Sequence, residues 1–543
     1  MRDTSRTELP VVPELSTITA ETSPGEVAFG DVDTGEEVTW AEFDARSVRA
    51  ANAVRDHAGQ GDRVAFLCDG SVEHTVLWNG ALKAGCVVSN LHTRGAPDTI
   101  RYCLDELAPQ ILVFDERFAD LYREHLAGAA AGVEVVVIGS GDGDADSAGD
   151  VDGDDGEVTD LDGATSAAAF TADRSTTPPD VSIGEDDLAA IMWTSGTTGK
   201  PKGWCFTNRG LVQRGQKMLS TGTQSAHTRR LQGLTPSFAA WYSVLMPALM
   251  GGAATYYVSE WDPERYLELI EEKGITSLTL VPTMWQEMLR LESFDEYDLS
   301  SLQTAGAAGE RLTVETVKRL RERVCETVGN SYSATEAIVT FIRYDETNAD
   351  RIDELGGTVG KAVPGTRVRV VEPDGAPDDE KPPGEVGELI VRTNDHPVWA
   401  WNRTEKSEDA FTDGWWYSGD LGYRDEDGYL YLEGRKDFMI MSKGIKVPPG
   451  PVEERLNAHP KVDESAVLGV TDEEFGERVT AVVASTDDSL TADELDQWCL
   501  DDDSLARHER PREYRITAEP LPKTVTGKLD RTSAKERILD AGE

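Results

Sequence analysis

The residues best suited to chemistry gather in one run, Thr194-Ser195-Gly196-Thr197-Thr198-Gly199-Lys200-Pro201-Lys202-Gly203. Hydroxyl-bearing side chains come first, then glycines free to take left-handed backbone angles, then two lysines. Such a loop turns N–H and O–H groups toward phosphate oxygens and keeps Lys200 and Lys202 near the charge that is released. It follows the apolar run 188–193, as a phosphate loop at the end of a buried strand would. The Walker pattern does not fit: it needs four residues between its glycines and a Ser or Thr after the lysine, whereas two residues separate Gly196 from Gly199 and Pro201 follows Lys200.

The elements that must position this loop read as alternating units. Helical stretches at 47–57 and 71–84 alternate with apolar runs at 64–68 and 111–114, the signature of parallel strands with helices on the faces. A further strand-to-helix unit lies at ITSLTLVPTMWQEMLRL, where Pro282 suits the first helical position, and another between Leu302 and Val328. Past Gly434 about a hundred residues carry their own apolar runs (465–470, 479–484) and helical stretches. The expected fold is therefore α/β: a large multi-layer N-terminal domain, 1–434, with mixed or parallel sheets and helices, and a small α+β C-terminal domain, 435–543, on a hinge near Asp437. Residues 139–163 hold ten acids and no base among glycines, which predicts a loop without a core of its own. Its Asp-x-Asp repeats lack the glycine and distal glutamate of a calcium loop in register.

Composition narrows the function. The 543 residues carry 53 Lys+Arg against 100 Asp+Glu, a formal net charge of -47. That surface repels nucleic acid and anionic lipid. The acids are spread along the whole chain rather than gathered on one face, which points to a surface kept hydrated in strong salt; the composition resembles proteins of salt-accumulating archaea. At a Debye length of about 3 Å in molar salt the self-repulsion is screened, and instability at low ionic strength is predicted. The six cysteines, Cys68, Cys86, Cys103, Cys205, Cys325 and Cys499, form no CxxC pair and read as core residues of a reducing compartment. No secretory leader and no run of 18 apolar residues is present, so a cytoplasmic protein without a membrane span is expected.

At this point a resemblance is evident. The 194–203 loop resembles the signature of the adenylate-forming (AMP-binding) superfamily, and further segments stand in that family's order from about Thr39 to Arg531, as in its acyl-CoA synthetases. The resemblance implies ATP, Mg²⁺ and coenzyme A as cofactor and co-substrates, a small carboxylic acid as substrate, and a monomer or homodimer. It assigns nucleotide contacts to Thr194 through Gly199 with Lys200 and Lys202, to Gly309, Glu310 and Arg311, and to Asn330, Ser331 and Tyr332, with Tyr332 stacking on adenine. By the same likeness Thr335 meets the α-phosphate and Glu336 holds the magnesium ion. Trp416-Tyr417-Ser418-Gly419-Asp420 is similar to the segment whose aspartate accepts from both ribose hydroxyls, a task suited to an acceptor-only carboxylate. Arg435 lies near the ribose, Asp437 is the hinge, Lys443 and Gly444 line the thiol passage, and Lys446 faces phosphate. Lys528, in Pro522-Lys523-Thr524-Val525-Thr526-Gly527-Lys528, bridges the acyl carboxylate and the nucleotide during adenylation. The acyl pocket is assigned to Phe238, Trp241, Gly306 and Ser333.

The chain also departs from the pattern. Ser333 stands where the family usually has Gly, Ala239 and Ala240 precede Trp241 where relatives carry a His or aromatic gate, and Asn208 replaces a His. The alternatives at this level are a stand-alone adenylation enzyme loading a carrier-protein thiol, a luciferase-like oxidative fate, and a noncatalytic nucleotide-binding homologue. Against the last, Lys528, Glu336 and Asp420 are all retained.

Overall fold

The computed structural model describes residues 10–139, 161, 163–194, 200–222, 224–309, 312–402, 410–443, 445–472, 474–501, 505–523 and 529–540. The chain forms two compact units, one of residues 1–367 with 392–414, the other of residues 368–391 with 415–543. The second unit thus gathers chain from well before Gly434.

In the first unit, one sheet runs in the order Trp399–Ala400, Lys202–Thr207, Leu188–Thr194, Val87–Asn90, Arg63–Leu67, Ile111–Asp115, Glu134–Ile138, Ala164–Ser166. From Leu188–Thr194 onward its strands are parallel, and Lys202–Thr207 turns back antiparallel. The second sheet runs Thr358–Ala362, Ile338–Tyr344, Val328–Ser333, Thr304–Ala308, Ser277–Leu280, Arg229–Gln232, Ala254–Tyr257, Val27–Asp31, Glu37–Thr39. Its central strands, from Val328–Ser333 to Val27–Asp31, are parallel.

Local sequence explains the helices. Val72–Lys83 starts where the Ser71 side chain accepts from the His74 N–H, and nearly all its side chains are buried, so it lies within the core rather than on it. Helix Trp40–Arg55 begins earlier than the apolar pattern indicates: Thr39 and Glu42 form a reciprocal capping box that opens it a full two turns ahead of Ser47. These two helices touch at Gly80, where any added Cβ would fall 2.5 Å from that of Ala50. Pro282 occupies the first turn of helix Pro282–Arg290, as its fixed φ favours. A cluster including Phe29, Trp40, Phe66, Trp78, Trp241 and Tyr257 fills the interior.

The second unit contains the antiparallel strands Gly387–Arg392, Trp415–Arg424 and Leu430–Arg435. It also holds a hairpin, Glu464–Asp472 with Gly476–Ala484, flanked by Ile440–Ser442 and by Glu513–Thr517. Helices Pro449–Asn457 and Ala492–Leu500 supply Val452, Leu456 and Leu495 to the core beside this hairpin. All six cysteines are free; five are buried and Cys325 half-buried, and burial pushes the Cys86, Cys103 and Cys205 thiols up to about 12. Among the described residues no helix is long and apolar enough to cross a membrane, and no cluster of three or more His, Cys, Asp or Glu could hold a metal ion.

Candidate active site

Ligand sites of parallel α/β sheets open at the carboxyl ends of the strands, where loops and helix N-termini converge. In the first unit Phe238, Gly309, Tyr332 and Ser333 stand at such ends. Phe238 caps helix Ala239–Gly251 just after strand Arg229–Gln232, Gly309 ends strand Thr304–Ala308 with φ +89°, and Tyr332 and Ser333 close strand Val328–Ser333. Gly306 pairs with Thr279 on one side and Gly329 on the other; a Cβ at Gly306 would sit 2.4 Å from Thr279 Oγ1, so only glycine leaves this wall intact. Thr279, though in mid-sheet, is exposed, which marks an opening over this face. Asn330 is 1% exposed, yet among the described residues neither its Oδ1 nor its Nδ2 has a hydrogen-bond partner.

Thr335 and Glu336 lie in the turn between strands Val328–Ser333 and Ile338–Tyr344, closed by paired bonds between Ala334 and Ala337. The turn is pinned by its carbonyls. Arg214 donates to Ala334 O at 3.2 Å and Thr335 O at 2.9 Å, while the His396 ring lies 3.0 Å from Glu336 O. Arg214 is in turn held by Asp395, 3.6 Å away, whose other oxygen takes the Lys217 ammonium at 2.5 Å; all three side chains are essentially buried. Asp395 also accepts from Ile338 N–H at 3.2 Å. Burial alone would raise the Asp395 carboxyl, but Arg214 and Lys217 outweigh it and hold it below the usual carboxylate value. Sequence reading passed over Arg214, Lys217, Asp395 and His396. The one available signal was a pair of cations three residues apart on the apolar face of helix Asn208–Ser220.

Other assignments fall differently. Trp241 is fully buried, edge-on to His74, Trp78 and Tyr242, and so backs the wall rather than facing an opening. Asn208 is structural: it accepts from Val12 N–H and donates to Asp187 O. Phe238 packs edge-on against His92, whose two ring nitrogens are buried without hydrogen-bond partners among the described residues. Thr194 hydrogen-bonds Lys202 O at 3.5 Å, and the Lys200 ammonium lies 4.9 Å from the Tyr102 ring centre. Ser195, Gly196, Thr197, Thr198, Gly199, Glu310, Arg311, Gly444 and Lys528 lie outside the described residues, as do the Lys446 side chain and most of the acidic run.

In the second unit, Asp420 and Arg435 face each other across adjacent strands, with Arg435 donating to Asp420 at 3.1 Å and to Ser418 O at 3.2 Å, and lying 3.5 Å from Asp437. Gly419 makes room for this: its φ is +72°, and a Cβ there would come within 2.7 Å of Arg435 Nη2. Lys436, next to Asp437, reaches the fully buried Glu388, which also accepts from Gly419 N–H. Lys443 pairs with Glu474 at 2.7 Å and covers the Phe475 ring.

The profile of the AMP-binding enzymes matches residues 17–396, and that of their C-terminal domain matches residues 451–528. The chain belongs to the AMP-binding enzyme family. Full-length relatives of this AMP-binding enzyme include a feruloyl-CoA synthase of Amycolatopsis sp, 31% identical over 508 residues that cover 93% of this chain and 94% of the relative. The long-chain-fatty-acid–CoA ligase FadD13 of Mycobacterium tuberculosis is 29% identical, covering 95% and 96%. Among solved structures, ATP-bound MatB from Rhodopseudomonas palustris superposes with a TM-score of 0.84 at 26% identity, covering 98% of this chain and 100% of that one.

Proposed function

We infer that this AMP-binding enzyme is an acid–thiol ligase: it joins a carboxylic acid to AMP from ATP, releasing pyrophosphate, and passes the acyl group to coenzyme A. The observation that carries the reading is the pinned turn 334–337 at the carboxyl ends of the parallel strands, in a chain whose full-length relatives are CoA ligases.

A carboxylate is a poor electrophile. Attack of its oxygen on the α-phosphorus forms an acyl–phosphate bond and breaks the bond to pyrophosphate, giving a mixed anhydride with AMP as leaving group. No general base is needed, because the acid is already ionised at neutral pH. Charge grows on the α-phosphate and departing oxygens, and fixed donors oppose it best when they need not reorganise. In our proposal Thr335, the 194–203 loop and Lys528 supply those donors. The carbonyl anchors of Arg214 and His396 support that role for Thr335, since they fix the turn before substrate arrives. Glu336 is a single half-buried carboxylate on a fixed turn, a donor set that suits magnesium, which takes one or two carboxylates alongside substrate phosphates. When bound, the ion neutralises phosphate charge. Asn330 receives the adenine edge, and Asp420, oriented by Arg435, accepts from the ribose hydroxyls. In the second step the thiol sulfur bonds to the acyl carbon, the anhydride C–O bond breaks, and AMP leaves with one proton released. Asp437 is the pivot between the two steps. We further propose that the enzyme works in the cytoplasm at high salt, as a monomer or homodimer.

The test is pyrophosphate release from ATP and Mg²⁺ in molar KCl over short, branched, long-chain and aromatic acids, with and without coenzyme A. A thioester that forms only with coenzyme A, and loss of adenylation in Lys528→Ala, are the expected results. ATP binding with no pyrophosphate release for any acid would refute the proposal.

A further inference from the structure

Among the described residues Arg230 is a buried guanidinium without a counterion. It sits in the middle of strand Arg229–Gln232, 5% exposed, and no hydrogen bond or ion pair reaches it among the described residues; its Nε is sealed from solvent with no acceptor. Burial pushes it down to about 10, which still leaves it charged at neutral pH. A buried charge of this kind is costly unless something pairs with it.

Register shows which way it faces. Partners in a parallel ladder point to the same side of the sheet, and alternate residues along a strand share a face. Arg230 is level with Thr255 and Ser277; Ser277 shares its face with Thr279; Thr279 is level with Gly306, and Gly306 with Gly329. This face carries an arginine, hydroxyls and glycines, bordered by Phe29 and Tyr257 of the interior cluster, while the opposite face carries Leu231, Leu278, Leu280, Ala305, Ala307 and Asn330. It opens at the exposed Thr279, beside Gly306, and Thr255 Oγ1 next to Arg230 is likewise sealed and without a partner among the described residues.

We propose that Arg230 is a specificity-determining residue that pairs with a second anionic group at the far end of the acid, so that the substrate class is a dicarboxylic acid or a comparable acid with a distal anion. This deepens the ligase reading and rests on it. Arg230 presents parallel N–H donors to the distal carboxylate, and Thr255 adds a hydroxyl.

The experiment compares α,ω-diacids and benzenedicarboxylates with their matching monoacids, for wild type and Arg230→Met, by pyrophosphate release in molar KCl, together with thermal unfolding of the ligand-free proteins. Wild type is expected to favour the diacid of at least one pair. Arg230→Met is expected to lose on the order of 100-fold in kcat/KM on that diacid, mainly through KM, with the KM for ATP unchanged and activity on the monoacid retained or raised. It is also expected to unfold no earlier than wild type, because it removes an unpaired charge. Preference of wild type for the monoacid in every pair overturns the proposal, as does an Arg230→Met protein that unfolds earlier and loses both series equally. Should that variant not accumulate, Arg230→Lys, which keeps the charge without the fork, serves instead: loss confined to diacids supports the proposal and equal loss overturns it. Failure of every acid to release pyrophosphate with wild type refutes the ligase reading itself and this inference with it, whereas activity on monoacids alone refutes only the inference.

Discussion

Replacing Asp395 by Asn keeps the size of the side chain and removes its charge, which leaves two buried cations facing a neutral amide. Asp395 is 0% exposed, with Lys217 (4%) at 2.5 Å and Arg214 (1%) at 3.6 Å. Breaking a buried pair from one side typically costs about 3–5 kcal/mol, because the desolvated partner loses its compensation. The upper part of that range is expected here, since two cations share one carboxylate. The loss should be read as a drop in the urea midpoint in molar KCl, followed by tryptophan fluorescence. Function is affected separately: Arg214 fixes the carbonyls of Ala334 and Thr335, and a misplacement of about 1 Å at a reacting group can cost on the order of 100-fold in rate. A second variant divides the two effects. Arg214→Met with Lys217→Met and Asp395→Leu replaces the ion cluster with apolar volume and should recover most of the stability. It should not recover kcat, because the turn has lost its donor. An Asp395→Asn protein within about 1 kcal/mol of wild type, or a triple variant with full kcat, would refute this reasoning.

Three further outcomes are expected. Gly419→Ala forces a side chain at φ +72° and within 2.7 Å of Arg435 Nη2, so it should displace Arg435 from Asp420 and raise the KM for ATP about tenfold, measured by pyrophosphate release. Asp115 is raised to about 7, chiefly by burial, against the bond from Asp69 N–H. Its folded pKa lies above its unfolded value near 3.8, so its contribution to stability is full below that value and lost as pH rises toward 7; Asp115→Asn should flatten the stability profile between those limits. Finally, at a net charge of -47, lowering KCl from molar to millimolar should unfold the protein, visible as loss of far-UV circular dichroism, while uncharged osmolytes at equal osmolality should not substitute for the salt.

The sequence by itself determined what short-range rules govern. The strand runs at 188–193, 465–470 and 479–484 and Pro282 at a helix start are legible because each depends on neighbours within a few residues. The capping box at Thr39 was equally local and went unread only because the apolar pattern begins later. Tertiary structure alone decided what depends on register and burial. Trp241 reads as a pocket aromatic, but helix Ala239–Gly251 turns it into the core. Asn208 stands at a position suggestive of chemistry, yet its amide bonds the backbone at Val12 and Asp187. Arg214 and Asp395 are 181 positions apart, and nothing in either neighbourhood announces the other. Arg230 is one more charged residue in a strand until its parallel register sets it on the face of Thr279 and Gly306, with no carboxylate in reach among the described residues. The physical reason is the same in each case: a side chain's charge and shape are local, whereas the cost of burying it depends on partners that only the folded chain brings near.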